Sequence, residues 1–579
     1  MIVATVSYTC NTSKANITIV HFPKLNHLGL LLCYSLIQYA VLTDSVRAQQ
    51  LPSSSQALPT TQERSQSHLQ QTYTSNNPTD PRSRLINQAI TQYYQRNNFL
   101  PLWTSTSGPT QKAKELFLIL TEAWSDGLNP EDYFIKDISQ LWNIPFPEYQ
   151  AKLDLLLSTA LVHYMVDTVA GTNPPNLLQN DVYSPQQSLT IDVALLLKQI
   201  TTTENITDFL NRHKPQHHQY HALKNGLARY RTFAKNGGFP TVPSGPVLKP
   251  GMSDQRIPLL IQRLKSEGYL RESYIPDATN LYSPRIVEAV RAFQRKFNLT
   301  QDGIIGSDTI IALNTPPSAL IQRIRINMER WRWLPHRMVG KQILVNIAGY
   351  QLTILNNEKV DLHMPVIVGE IDHKTPLFSD RMRYLVLNPY WNVPVSIAVR
   401  EILPQQIHNP NYLQEKNMRI FAGWEQDAKE VNPQAIDWKK LGQGIRRYRF
   451  RQDPGPENSL GQLKFMFPNK HNIYLHDTPT HNLFQNATRA YSHGCIRVSR
   501  PVELAQYLLA GNKRSWSRQQ IEDVLKRGQT QVVLLDNPIP IHLLYMTVYA
   551  DPETDELIFY RDIYAKDLQL TKRFFKNEQ

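Results

Sequence analysis

The chain has 579 residues, 41% hydrophobic and 19% charged, with three cysteines and a formal net charge of +13. This composition excludes a polytopic membrane protein, a wholly disordered chain and a disulfide scaffold, and the length suggests about three to four domains. The positive balance favours a polyanionic neighbourhood, whether nucleic acid, an anionic membrane face or an acidic envelope polymer.

Lys24 and His27 precede the apolar run 28–42, and Val46-Arg47-Ala48 follows with small residues at cleavage-site spacing. Residues 1–48 are therefore expected to be a signal peptide or a membrane anchor. About 15 apolar residues is short for a spanning helix, which needs ~20. Cleavage would remove Lys14, Lys24, Arg47 and Asp44, lowering the charge by two to +11. It would also remove Cys10 and Cys33, leaving Cys495 without an intramolecular partner in an oxidising compartment. Residues 49–82, rich in Gln, Ser, Thr and Pro, read as a flexible linker.

Residues 83–240 are expected to form a helical scaffold domain. Leu85, Ile86, Ile90 and Tyr93 follow a helical period, as do Ala113, Leu116, Phe117, Leu120 and Trp124, before a stop at Gly127. His213, His217, His218 and His221 cluster here, and the four-residue step from His217 to His221 can serve a metal. No carboxylate or cysteine cluster accompanies them, which favours surface or packing histidines.

A Gly/Pro-rich boundary at 236–252 leads to a three-helix module at 253–316. Ile257, Leu260, Ile261 and Leu264 mark one helix; Ile286, Val290, Phe293 and Phe297 mark the next. Ala289-Val290, Phe293-Gln294, Asp302-Gly303 and Gly306 to Thr309 resemble the peptidoglycan-binding module of bacterial cell-wall enzymes. The resemblance implies affinity for glycan or stem peptide; a purely structural spacer is the alternative.

Residues 323–570 turn strand-rich, with alternation at Ile343, Val345 and Ile347 and further β-like runs to Val548. An insertion at 396–464 carries Trp424, Trp438 and the basic-aromatic run 446–451. It reads as a cap over a site or as a decorative surface insertion; nucleic-acid binding by the basic run is disfavoured in an exported chain.

The chemistry concentrates in Tyr474-Leu-His476-Asp477 and Ser492-His493-Gly494-Cys495-Ile496-Arg497. A thiol with pKa about 8.5 needs a base or a positive field to become a nucleophile. On the residues alone, either His476 or His493 can be that base. Gly494 permits close backbone approach, and amides around Gly494 and Cys495 can face an oxyanion. Tyr474 projects to the same strand face as His476, where its hydroxyl serves an oxyanion hole or its ring packs a core.

His476, fifteen intervening residues and Ser492-His-Gly-Cys-Ile-Arg497 resemble the signature of L,D-transpeptidases. The stretches 327–335, 388–394, 454–461 and 464–469 are similar to those of the large, capped Gram-negative subfamily. The resemblance implies a multidomain α+β protein: a helical scaffold domain, a small peptidoglycan-binding module and a β-rich catalytic domain with an inserted cap. It makes Cys495 the nucleophile and His476 the base. Tyr474, Gly494, His493 and Asp477 become oxyanion or supporting residues, and Ser492 and Arg497 substrate-binding ones. Arg497 would bind a stem-peptide carboxylate or brace the site.

The implied reaction is acyl transfer in the periplasm. A tetrapeptide donor loses D-Ala to form a thioester, and a diaminopimelate amine of a second stem resolves it into a 3→3 cross-link. No metal or cofactor is implied, the thiol is expected to react with carbapenems, and an inner-membrane tether is compatible with the N-terminus. L,D-carboxypeptidase action, attachment to another acceptor and non-catalytic peptidoglycan binding are the alternatives.

Overall fold

The computed structural model describes residues 60–172 and 191–575, apart from Asp277 and Gln426. The leader at 1–48 lies outside these residues. The linker reading of 49–82 needs correction where it is described. Thr61–Ser75 is a helix, and the chain turns helical again at Pro81. Leu69 and Tyr73, one turn apart, are both buried, and Tyr73 stacks on Tyr94 at 4.3 Å. Two apolar side chains at helical spacing dock an otherwise polar segment onto the scaffold.

The scaffold packs around Pro147–Ala170, a helix buried along most of its length. Leu153, Leu157, Ala160, Leu161 and Tyr164 line its core. Its Asp154 is buried and accepts from Tyr94 Oη at 2.6 Å and Trp103 N at 2.7 Å. Burial pushes that carboxyl up to about 6 despite these donors. Of the histidine group, His213, His218 and His221 are exposed and His217 is packed inside. His217 is buried, bonds the Pro335 carbonyl through Nε2 at 2.7 Å, and lies 4.9 Å from the Trp331 ring.

In the small module, Ile257–Ser266, Pro284–Lys296 and Ser307–Leu313 enclose the apolar stripes. Its motif has a mechanical reason. Gln294 accepts from Gly303 N at 2.9 Å and donates to the Ile304 carbonyl at 2.9 Å, stitching the Asp-Gly turn to the helix. Gly303 sits at φ +72, and a Cβ there would meet Val287 Cγ1 at 2.6 Å. A single hydrophobic core runs from His218–Lys235 through this module into the catalytic sheet.

That sheet has nine strands: β1 Lys341–Asn346, β2 Gln351–Asn356, β3 Lys359–Gly369, β4 Phe378–Leu387, β5 Leu463–Met466, β6 Leu475–His476, β7 Ala490–Ser492, β8 Ile496–Val498 and β9 Gln531–Leu544. Their order is β7-β3-β8-β6-β5-β4-β9-β1-β2, and β2 also pairs with β3, so the sheet curls back on itself. Between β4 and β5 the chain builds a separate four-stranded sheet. This cap has its own core of Val393, Ala398, Ile402, Leu413, Met418, Ile420, Ile445 and Phe450. Its basic run is used internally: Arg449 and Arg451 lie over the Phe421 ring at 4.4 and 4.9 Å.

Candidate active site

Strands β6 and β8 run side by side in parallel, with Leu475 opposite Ile496 and His476 opposite Arg497. On its other edge β6 meets β5, with Lys464 opposite His476. Residues facing each other across a sheet share a face, so Lys464, His476 and Arg497 form one row. Tyr474 precedes His476 by two residues and Cys495 precedes Arg497 by two, so alternation turns them toward this same side. Phe465 and Leu475 point the other way, into the core.

The turn carrying Cys495 is held tightly. Gly494 adopts φ +108, which disfavours any side chain there. Thr375 Oγ1 donates to the Gly494 carbonyl at 2.8 Å and accepts from Gly369 N at 2.9 Å. A Cβ on Gly369 would meet the His373 carbonyl at 2.0 Å, so the 370–375 loop packs against the catalytic turn only because position 369 is glycine.

Ser492 lies within the same turn. It is buried, and its hydroxyl donates to the Cys495 carbonyl at 2.5 Å and accepts from Gly494 N at 3.1 Å. Its side chain closes the turn. The same bond engages the Gly494 amide.

His476 is buried, and its Nδ1 lies 2.5 Å from the Asp477 carbonyl. That contact places the proton on Nδ1 and leaves Nε2 as an acceptor. Burial first, and then the Arg497 cation, depress its pKa to about 3, so the ring is neutral at pH 7. The Asp477 carboxylate braces the strand end, accepting from Gln462 N at 2.9 Å and Thr478 N at 2.7 Å.

The Cys495 thiol is half-buried. It lies 3.8 Å from the Asn472 carbonyl, and Tyr474 is among the neighbours that favour its charged form. Burial raises the thiol pKa; Tyr474, Lys464 and Arg497 offset that only in part. Among the described residues no hydrogen bond joins the thiol to His476.

His493 faces away from this row. Its Nε2 pairs with Glu401 of the cap at 2.6 Å, and its ring lies 4.9 Å from His373. His373 in turn bonds Glu370 at 2.6 Å and Arg400 of the cap at 3.1 Å. Glu370, His373 and His493 bring three donor atoms within 4.8 Å of one another, the described group best disposed toward a metal ion.

Sequence reasoning overlooked Lys464 and Glu401. Lys464 Nζ sits 3.8 Å from the centroid of the Tyr474 ring. The usable sign was a lysine alternating with Leu463 and Phe465 in a core strand. Glu401 carried no comparable sign, since it comes from the separately folded cap.

Comparison with known proteins agrees with this geometry. A family model described as the L,D-transpeptidase catalytic domain (YkuD) matches residues 340–525. A scaffold-domain model matches 88–227, and one described as "Putative peptidoglycan binding domain" matches 253–313. A Haemophilus influenzae protein named "Putative L,D-transpeptidase" is 33% identical over 253 residues, 44% of this chain and 50% of that protein. The match thus spans half the length of that relative.

Among solved structures, the L,D-transpeptidase (residues 123–326) of Xylanimonas cellulosilytica is 15% identical at TM-score 0.16, over 52% of this chain and 99% of that one. The L,D-transpeptidase (Yku) of Stackebrandtia nassauensis is 11% identical at TM-score 0.19, over 53% and 96%. TM-scores this low add nothing to the sequence matches. The chain carries, at residues 340–525, an L,D-transpeptidase catalytic domain of the YkuD family, together with a peptidoglycan-binding domain.

Proposed function

We propose that the protein forms 3→3 peptidoglycan cross-links through a Cys495 thioester. The observation that carries this reading is the neutral, carbonyl-anchored His476 on the same sheet face as Cys495. A ring whose Nδ1 proton is fixed on a carbonyl presents Nε2 as a base, the arrangement that activates a protonated thiol.

In the first step His476 takes the thiol proton and Sγ attacks the carbonyl joining diaminopimelate to the terminal D-Ala of a tetrapeptide stem. The Tyr474 hydroxyl stays protonated, because burial raises its pKa, and with Cys495 N–H it donates to the oxyanion. The C–N bond breaks and D-Ala leaves with the proton carried by His476. The side-chain amine of a second diaminopimelate then attacks the thioester, His476 accepts its proton, and the thiol is regenerated.

The cap and the peptidoglycan-binding domain support a polymeric substrate, and work on peptidoglycan places the protein outside the cytoplasm. The periplasm is the location proposed.

Incubation of residues 49–579 with purified tetrapeptide muropeptides tests this, with products read by mass spectrometry. Cross-linked dimers and free D-Ala are expected. Tripeptides alone would make the protein an L,D-carboxypeptidase. Binding without turnover would leave a non-catalytic peptidoglycan-binding protein.

A further inference from the structure

The active face holds more positive charge than the reaction above uses. Lys464 and Arg497 flank His476 on either side in one cross-strand row. Among the described residues, neither lies within 4.0 Å of a carboxylate, although the buried Lys214, Arg263, Lys296, Arg330 and Arg332 each do. The contact recorded for Lys464 Nζ is the face of the Tyr474 ring at 3.8 Å. Arg497 reaches Thr480 Oγ1 at 3.2 Å with one terminal nitrogen, while its Nε is buried without a hydrogen bond. Asp477, nearby in sequence, is engaged by two backbone amides and lies 3.5 Å from His481.

Half-burying two cations without a counter-ion is costly, and each is pushed toward its neutral form by burial. The resting thiol does not compensate them, since it is protonated. A ligand that brings negative charge to this face would be attracted by both groups.

We infer that Lys464 and Arg497 form a carboxylate-binding subsite that selects donor peptides carrying a free carboxylate next to the scissile bond. The inference rests on the acyl-transfer reading of Cys495. Arg497 supplies a planar donor fork and Lys464 a point charge, a pair suited to one carboxylate. Two carboxylates of the donor have this chemistry: the C-terminal one of the leaving D-Ala and the free one on diaminopimelate. Because the two cations sit on opposite flanks of His476, the bound carboxylate fixes the scissile carbonyl over the thiol and the imidazole.

The test is binding, so that it does not depend on turnover. The full chain with Cys495→Ser is titrated calorimetrically with three acetylated tetrapeptides: both carboxylates free, D-Ala amidated, or diaminopimelate amidated. The free peptide should bind roughly tenfold more tightly than one of the two amides, which identifies the source. Lys464→Met and Arg497→Gln, each added to Cys495→Ser, should erase that ratio, while Lys464→Arg keeps it. Thermal melts show whether each variant is folded, and Lys464→Arg answers the question if a neutral variant is not. Equal binding of all three peptides, or a ratio that survives both neutral substitutions, overturns the subsite. D-Ala release by the protein with Cys495 intact reports separately on the transpeptidase reading.

Discussion

Where the scaffold meets the rest of the chain, Asp126 lies between Lys214 and Lys224 at 2.8 and 2.6 Å. On the catalytic face, Lys464 and Arg497 have no carboxylate within 4.0 Å among the described residues. The seam continues in the same manner. Arg332 pairs with Glu329 at 3.0 Å and also donates to the Asp126 carbonyl, and Arg330 pairs with Asp567 at 2.5 Å. In the small module, Glu267 holds both Arg263 and Lys296. Buried cations away from the thiol are thus paired inside the protein. Those beside the thiol are left for something that arrives, and stability is given up there for function.

The largest expected effect falls on the catalytic pair. Cys495→Ser should abolish D-Ala release, and His476→Ala should lower acylation by about a thousandfold or more. His493→Ala should keep much of the activity, because its ring faces Glu401. Rates of muropeptide turnover decide this, and the reverse ranking of the two histidines would overturn the assignment.

Next comes a substitution that makes the seam resemble the active face. Asp126→Asn strands Lys214 and Lys224 and should cost about 3 kcal/mol in thermal or denaturant unfolding. Burial opposes the Asp126 charge, but Lys214 and Lys224 outweigh it and hold the carboxyl well below its ordinary range. A depressed carboxyl contributes stability that is present above its unfolded pKa, about 4, and is lost as pH falls toward the folded value. The wild type should therefore lose stability below pH 4 through this group, and the Asn variant should not show that component.

The converse change is Lys464→Met, which removes a cation that has no carboxylate partner among the described residues. It should leave stability unchanged or raise it by up to about 1 kcal/mol. The cost should appear at the thiol. Burial already holds the Cys495 pKa above its ordinary value, so alkylation by iodoacetamide should keep rising past pH 9. Without Lys464 the rise should move to still higher pH, with a several-fold slower rate at pH 8. A variant that is both less stable and equally reactive would erase the contrast between the two regions.

What the sequence made legible follows the range of the forces involved. Cys495, His476 and Tyr474 were readable because strand alternation and a tight glycine turn are local. The anchoring of His476 by the Asp477 carbonyl involves adjacent residues and was readable too. Lys464 acts through a strand whose neighbours are fixed only by long-range register. The helix at Thr61–Ser75 was hidden because Leu69 and Tyr73 are the few large apolar residues in a polar stretch, and their burial depends on Tyr94 and its neighbours. The bonding of Ser492 was hidden for the opposite reason: its hydroxyl has partners within three residues, a closed local arrangement that a motif does not reveal.

The smallest expected effect tests whether charge pairing also governs the cap. Glu401 meets His493 at 2.6 Å, and both groups are substantially exposed. Pairs of this kind are worth at most about 1 kcal/mol. Glu401→Gln should therefore leave the melting temperature almost unchanged. The cap has its own hydrophobic core and is carried by strands Trp391–Asn392 and Tyr448–Gln452, so its fold does not depend on the pair. What the pair sets is how firmly the cap rests beside the Ser492–Cys495 turn. The expected result is a change of less than about fivefold in KM for muropeptides, diminishing as salt screens the wild-type pair. A large loss of kcat instead would place Glu401 within the catalytic machinery and make the cap's charges part of the unpaired face.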